Sequence, residues 1–317
     1  MRIYALIAQR VAIGFLILLL VSVLVFAGTE VLPGDVAHAI LGQSATPELV
    51  AQIRERLGLD EPATMRYFYW LGNLVSGDLG TSLASGAPIS DLIGERIFNT
   101  FLLAILTALI AIPLAVGLGL MAAIRPNGRA DRVISSVSLA LISVPDFLVA
   151  IILVMIFSVS LGWFPAIANL RPGSDIGRIL LVLALPVTAL VFTVLAHMVR
   201  MTRTAIIGVL TSPAVEMAIL KGVPRWRILI VHALPNALAP IVNVIALNLA
   251  YLISGIVVIE TLFNFAGLGR LTVEAVTTRD IPVVQACAMI FCAVYILLNL
   301  LADIISVVSN PRLRHPK

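Results

Sequence analysis

NTFLLAILTALIAIPLAVGLGLMAAI, Asn99 to Ile124, runs for 26 residues without an acidic or basic side chain. Wound as an α-helix at about 1.5 Å per residue, it exceeds the roughly 30 Å of hydrocarbon in a bilayer. A helix apolar on every side belongs in lipid or in a large core, not on a water-facing domain. Outward from it lie five more runs of the same kind: Val11 to Ala27 before it, then Val133 to Leu161, Ile179 to Val199, Leu238 to Leu262 and Val283 to Val308. The 317 residues are 60% hydrophobic and 12% charged, with a mean hydropathy of +1.08, well outside the usual shares of a soluble chain. A membrane β-barrel would read as alternating segments of about ten residues, so the runs predict helices. The expected fold is an all-α integral membrane protein with six transmembrane helices. Pro113, Pro145, Pro186 and Pro240 are expected to kink these spans, since neighbouring helices and water can satisfy the freed carbonyls.

The first run is read as an uncleaved span. Arg2 and Arg10 precede it, as in a signal peptide, but it exceeds a usual signal core, lacks a good small-residue cleavage site, and its removal would leave an odd number of spans. Cys287 and Cys292, five residues apart in the sixth run, point about 140° apart on a helix and read as packing residues, not as a disulfide or metal pair. With six spans, the segments 1–10, 125–132, 200–237 and 309–317 share one side and hold 13 Lys or Arg against 2 Asp or Glu; the other side holds 8 against 12. The positive-inside rule then places both termini in the cytoplasm. The net charge of +4 is accounted for by topology, and no nucleic-acid partner is called for.

Three stretches follow: 1–27, an N-terminal segment and first span; 28–97, an extracytoplasmic cap; and 98–317, a five-helix core containing the loop 200–237. The cap is acidic, with 9 acidic residues against 4 basic between Gly28 and Ile97. Thr46 is placed to cap a helix that begins at Pro47 and stops at Gly58, with Leu49, Ile53 and Leu57 as its apolar stripe. Met65 to Val75, with Tyr67, Phe68, Tyr69 and Trp70, reads as an amphipathic helix suited to the lipid–water interface or to a small packed cap.

The loop 200–237 is the most informative. Ser212 is an N-cap, Pro213 suits the first helical position, Glu216 lies at the positive end of the dipole, Lys221 sits in the last turn and Gly222 terminates the helix. A second helix is expected from Val223-Pro224 through Trp226, Ile228 and Val231 to a break at Pro235. Val215, Ala218 and Ile219 share one face of the short helix. They either pack on the ends of the chain's own spans or fill a groove on a separate cytoplasmic protein.

On these residues the chain resembles the permease subunits of ATP-binding-cassette importers of the peptide and nickel type. Glu216-Met217-Ala218-Ile219-Leu220-Lys221-Gly222, with Leu234-Pro235 beyond, is similar to that family's coupling loop (Glu-Ala-Ala, three residues, Gly); Met217 and His232 depart from it. Pro33-Gly34-Asp35, Leu57-Gly58-Leu59-Asp60-Glu61-Pro62, Gly77-Asp78-Leu79-Gly80-Thr81-Ser82, Glu260-Thr261-Leu262-Phe263, Gly267-Leu268-Gly269-Arg270-Leu271, Asn299-Leu300-Leu301-Ala302-Asp303 and Asn310-Pro311-Arg312 resemble other family motifs in the family's order, with Ala266 and Asn310 departing. The resemblance covers almost the whole chain. It implies a cytoplasmic coupling helix between the fourth and fifth spans, in which Val215, Glu216, Ala218, Ile219 and Gly222 meet an ATPase. It implies as partners a second homologous permease, two ATP-binding subunits that carry ATP and Mg, an extracytoplasmic binding protein and the lipid bilayer. Di- or oligopeptides are the implied cargo, with nickel chelates, glutathione and oligosaccharides as alternatives. The turn after the helix is expected to need a positive φ at Gly222.

Several chemistries are missing from the sequence. There is no Gly-x-x-x-x-Gly-Lys-Ser/Thr loop, so ATP is expected to be handled elsewhere, and no His-Glu-x-x-His or Gly-x-Ser-x-Gly motif; His38, His197, His232 and His315 are scattered. No catalytic residue, metal site or cofactor of its own is expected. Asp146, Glu260 and Asp303 lie in or at the edges of spans, where carboxylates face protein or water. Glu260 and Asp303 read as structural partners. Asp146, after Pro145, is either a hydrogen-bonded acid between helices or part of the translocation path, where Ser143, Asn243 and Asn248 are the other candidate polar residues. An autonomous secondary transporter is the alternative from another class; it would want interrupted helices or paired charges in both halves.

Overall fold

A computed structural model describes residues 3–31, 46–56, 60–171 and 173–309. Pro33-Gly34-Asp35, His38, the Leu57-Gly58-Leu59 turn, Asn310-Pro311-Arg312 and His315 lie outside these residues. The apolar runs become long helices: α1 (Ile3–Glu30), α4 (Ile89–Ile124), α7 (Ile176–Leu210), α10 (Leu234–Leu262) and α12 (Ile281–Ser309). Between them lie α2 (Pro47–Arg56), α3 (Ala63–Ser76), α5 (Arg129–Ile142), α6 (Asp146–Leu153, continued by π-helical turns over Val154–Ser160), α8 (Pro213–Leu220), the single turn α9 (Arg225–Arg227, continued by π-helical turns over Ile228–Ala233) and α11 (Leu268–Thr278).

The third run is not one continuous helix. Five helices are long and apolar enough to cross a membrane, and α5 and α6 form a sixth span only as a pair bent by 99°. Pro113, Pro186 and Pro240 all sit inside continuous helices. At Pro145, by contrast, the N–H of Val144 turns back to Leu141 O, Pro145 is extended (ψ 138°) and its carbonyl starts α6 by accepting from Leu148 and Val149. A proline whose own carbonyl begins a new helix makes a corner; one within a helix makes a bend.

By packing the chain divides into two units. The first comprises residues 1–11, 101–265 and 295–317. Its core is centred on α7, whose Leu183, Leu190, Val194 and Met198 are buried with Leu103 of α4, Ala150 of α6 and Leu252, Ile256 and Ile259 of α10. A small residue allows one close approach: a Cβ on Gly119 would lie 2.8 Å from Thr202 Cγ2 and 2.9 Å from its Cβ. Asp303 pairs with Arg10 at 2.9 Å, and Glu260 is fully buried with its carbonyl accepting from Phe265 N–H.

The second unit comprises residues 12–100 and 266–294, with Ile89, Ile93, Leu268, Leu271, Val283 and Cys287 in its core. Thr46 Oγ1 accepts from Leu49 N–H at 3.4 Å. Of the expected α2 stripe Leu49 is exposed, while Val50 beside it is buried. α3 divides its aromatics: Tyr67 and Trp70 stack on Phe26 of α1 (5.5 and 5.8 Å), while Phe68 and Tyr69 are exposed.

The Gly-Asp-Leu-Gly-Thr-Ser stretch has a local physical account. Gly77 (φ 84°) closes α3 in a left-handed cap, Asp78 Oδ1 accepts from Gly80 N–H, and Ser82 then donates to Asp280 Oδ2 at 2.5 Å. Asp280, only 3% exposed, also accepts from the N–H groups of Leu83 and Ala84 at 3.0 and 3.2 Å. Asp280→Ala strands these donors and is expected to cost about 2–4 kcal/mol. The check is heating the purified protein with a thiol-reactive dye that reads release of the buried Cys287; Asp280→Asn, which keeps one acceptor oxygen, should fall between variant and wild type.

Candidate functional site

Two places carry the residues singled out in the sequence, and both lie in the first unit. The first is the segment leaving α7. Ser212 has the extended backbone of an N-cap (φ −77°, ψ 149°), and its carbonyl accepts from the N–H groups of Val215 and Glu216. Its side chain makes no capping bond, so Pro213, preset in φ at the first helical position, starts α8 unaided. The helix ends as Gly222 N–H bonds Ile219 O and Val223 N–H bonds Ala218 O. Gly222 has φ +72°, and an added Cβ would meet nothing within 4 Å. The demand for glycine there is conformational, not steric. The expected break at Pro235 is absent: the π-helical turns over Ile228–Ala233 run directly into α10, which carries Pro235 in its first turn.

The expected apolar face of α8 is split. Val215 (1% exposed) and Ala218 (8%) are buried with Ile228 against Leu210 and Val223 of the same chain. They are therefore unavailable to a groove on another protein. Ile219, assigned to the same stripe, is 57% exposed and shares the open side with Met217 (55%) and Leu220 (75%); Glu216 is exposed as well. The sequence periodicity placed Val215, Ala218 and Ile219 together, but the neighbour covers only two of them.

The second place is the corner between α5 and α6. A cavity of about 370 Å³ is lined by Leu141 to Asp146 and, from the facing helices, by Thr193 and His197 of α7 and Tyr251 of α10. Thr193 and His197 lie in the final third of the apolar run Ile179 to Val199, so the cavity sits within the span, toward the end that leads into α8. Ser143 Oγ donates to Leu139 O and Thr193 Oγ1 to Ala189 O, while the rings of His197 and Tyr251 lie with centroids 6.3 Å apart, tilted by 56°. Of the four candidate path residues the structure brings together Ser143 and Asp146. Asn248 is instead buried, donating to Val244 O within α10, and Asn243 is exposed elsewhere on that helix. Sequence reading passed over His197 and Tyr251. Thr193 and His197, polar and four residues apart in an otherwise apolar span, were the available signal.

A third feature ties these places together. Asp131 near the start of α5 receives Arg203 of α7 in a two-pronged ion pair, Nε to Oδ1 at 2.5 Å and Nη2 to Oδ2 at 2.7 Å, and also accepts from Asn127 N–H and Ser135 Oγ. The pair clamps the first half of the bent span to the helix that leads into α8.

Residues 115–315 match the family described as the binding-protein-dependent transport system inner membrane component, and residues 3–104 match the N-terminal part of such membrane components. The chain belongs to this family of importer permeases. The permease is 34% identical over 309 residues to a probable peptide ABC transporter permease of Sinorhizobium fredii, covering 98% of this chain and 99% of that one. It is 39% identical over 313 residues to a putative peptide transport system permease of Brucella abortus, again covering 98% and 99%. It is 36% identical over 298 residues to a glutathione transport system permease of Salmonella choleraesuis, covering 94% and 95%. It is thus a multi-pass inner-membrane transport subunit of the ABC class.

Proposed function

We propose that this permease forms half of an ATP-driven import path for peptides, working with a second homologous permease, two ATP-binding subunits and an extracytoplasmic binding protein. Its termini and α8 lie in the cytoplasm, in keeping with the 13 basic against 2 acidic residues on that side. The observation that carries the reading is the open side of α8. Met217, Ile219 and Leu220, more than half exposed on an eight-residue helix, form a tip that a cytoplasmic partner's groove would cover. Val215, Ala218 and Ile228 anchor that tip to the end of α7 and to the π-helical turns that run into α10, and Gly222 sets the exit angle, so motion of a bound ATPase reaches the spans through packed side chains. Glutathione, the cargo named for one relative, is itself a modified tripeptide, and both cargoes share an amine, amide bonds and carboxylates.

The test is affinity purification of the tagged permease from its native membrane, with identification of co-purifying proteins and ATPase and uptake assays using a tripeptide and glutathione as competing cargoes. Recovery of a second permease and ATPases, with uptake of either cargo, supports the reading. Recovery of the permease alone, still able to transport, would replace it with an autonomous transporter.

A further inference from the structure

We infer that the cavity at the α5–α6 corner is an ammonium-binding subsite on the translocation path, with Asp146 as its anionic wall and Tyr251 and His197 as its aromatic rim. The inference rests on the import reading for its cargo, but its chemistry is legible in the cavity itself. Among the described residues, Asp146 is the only carboxylate lining the cavity, and neither Lys nor Arg lines it. Among the described residues, no hydrogen bond or ion pair holds the Asp146 carboxylate, the His197 ring or the Tyr251 hydroxyl.

Elsewhere in this chain acidic groups near the spans are engaged: Asp131 with Arg203, Asp280 with Ser82, Asp303 with Arg10. A carboxylate within a span without such a partner is expensive unless water or a ligand completes it. The corner supplies the opening. Ser143 and Pro145 are exposed and Asp146 is half-buried, so the carboxylate is reachable. Tyr251, 51% exposed, lines the same cavity, and an aromatic ring there is attractive to a cation. A primary ammonium fits this set: its N–H donors can meet the Asp146 carboxylate, with the aromatic rings of Tyr251 and His197 lining the same cavity. The ammonium can come from a peptide's terminal amine or from a basic side chain.

The experiment uses membranes of cells expressing the full permease with Cys287→Ala and Cys292→Ser, carrying Ser143→Cys as a reporter at the cavity mouth. In permeabilised vesicles, labelling rates are compared for trimethylammonium-ethyl and sulfonato-ethyl methanethiosulfonate, one cationic and one anionic reagent of similar size. The ratio of cationic to anionic rates should fall about tenfold when Asp146→Asn is added, and Asp146→Glu should retain it. Trialanine, with only a terminal amine, and N-acetyl-lysinamide, with only a side-chain amine, are then tested for slowing the cationic reagent. Protection by trialanine assigns the terminal amine; protection by N-acetyl-lysinamide alone assigns a basic side chain. A ratio unchanged by Asp146→Asn, or protection by neither compound, overturns the inference. Labelling needs no partner subunit, so failure of the import reading would appear as absent ATPases on purification while the charge ratio persisted.

Discussion

Arg203→Leu is expected to cost about 3–5 kcal/mol of the permease's stability, a large part of what holds a typical fold together. Asp131 is 3% exposed at its side chain, whereas Arg203 is 24% exposed, and this asymmetry sets the order of the variants. Without Arg203 the carboxylate keeps only Asn127 N–H at 2.7 Å and Ser135 Oγ at 3.2 Å, too little for a buried charge. Asp131→Asn leaves the guanidinium partly in contact with solvent, where it can turn outward, so its loss should be smaller. The double variant Arg203→Leu with Asp131→Leu removes both charges and should recover most of the loss. Thermal unfolding of the detergent-purified protein checks the ranking. If the double variant is no more stable than Arg203→Leu alone, the cost lies in packing near Thr202 and Gly119, not in a stranded charge.

The same pair shows where sequence reading reaches its limit. Spans need only a count of apolar residues against bilayer thickness, so α1, α4, α7, α10 and α12 were legible. So was α8, whose boundaries are written locally by Ser212, Pro213 and Gly222. Asp131 and Arg203 lie 72 positions apart, and Ser82 and Asp280 lie 198 apart; nothing local announces either pairing. The four prolines read alike in one dimension, and only the chain's turn at Ser143 to Pro145 separates the corner from the bends. Periodicity likewise gathered Val215, Ala218 and Ile219 on one face of α8 without naming the neighbour. Leu210, Val223 and Ile228 cover two of them and leave Ile219 open. The cavity was half legible: Asp146 stood out as an acid in a span, while His197, 51 positions on, reads as one of four scattered histidines until the fold sets it beside the corner.

Leu220→Asp should abolish recovery of ATP-binding subunits with the permease while leaving the permease itself folded. Leu220 is 75% exposed, so its replacement removes almost no packing within the chain. In a complex, however, the new carboxylate would be pressed unpaired into an apolar groove. At about 4 kcal/mol for such a burial, and 1.4 kcal/mol per tenfold, retained ATPase should fall by a factor on the order of several hundred, and uptake with it. Val215→Asp attacks the other side of the helix. Val215 is 1% exposed among Ala218, Ile228, Leu210 and Val223, so its carboxylate destabilises the permease's own loop. Membrane levels should drop together with ATPase recovery. Measuring permease abundance, unfolding temperature and co-purified ATPase for both variants separates the two sides of α8. Should Leu220→Asp keep its ATPases, the open side of α8 is not the docking face, whatever Val215→Asp does. Should both variants lose abundance equally, α8 is only part of the permease's own core, and coupling to the ATPases must run through another surface.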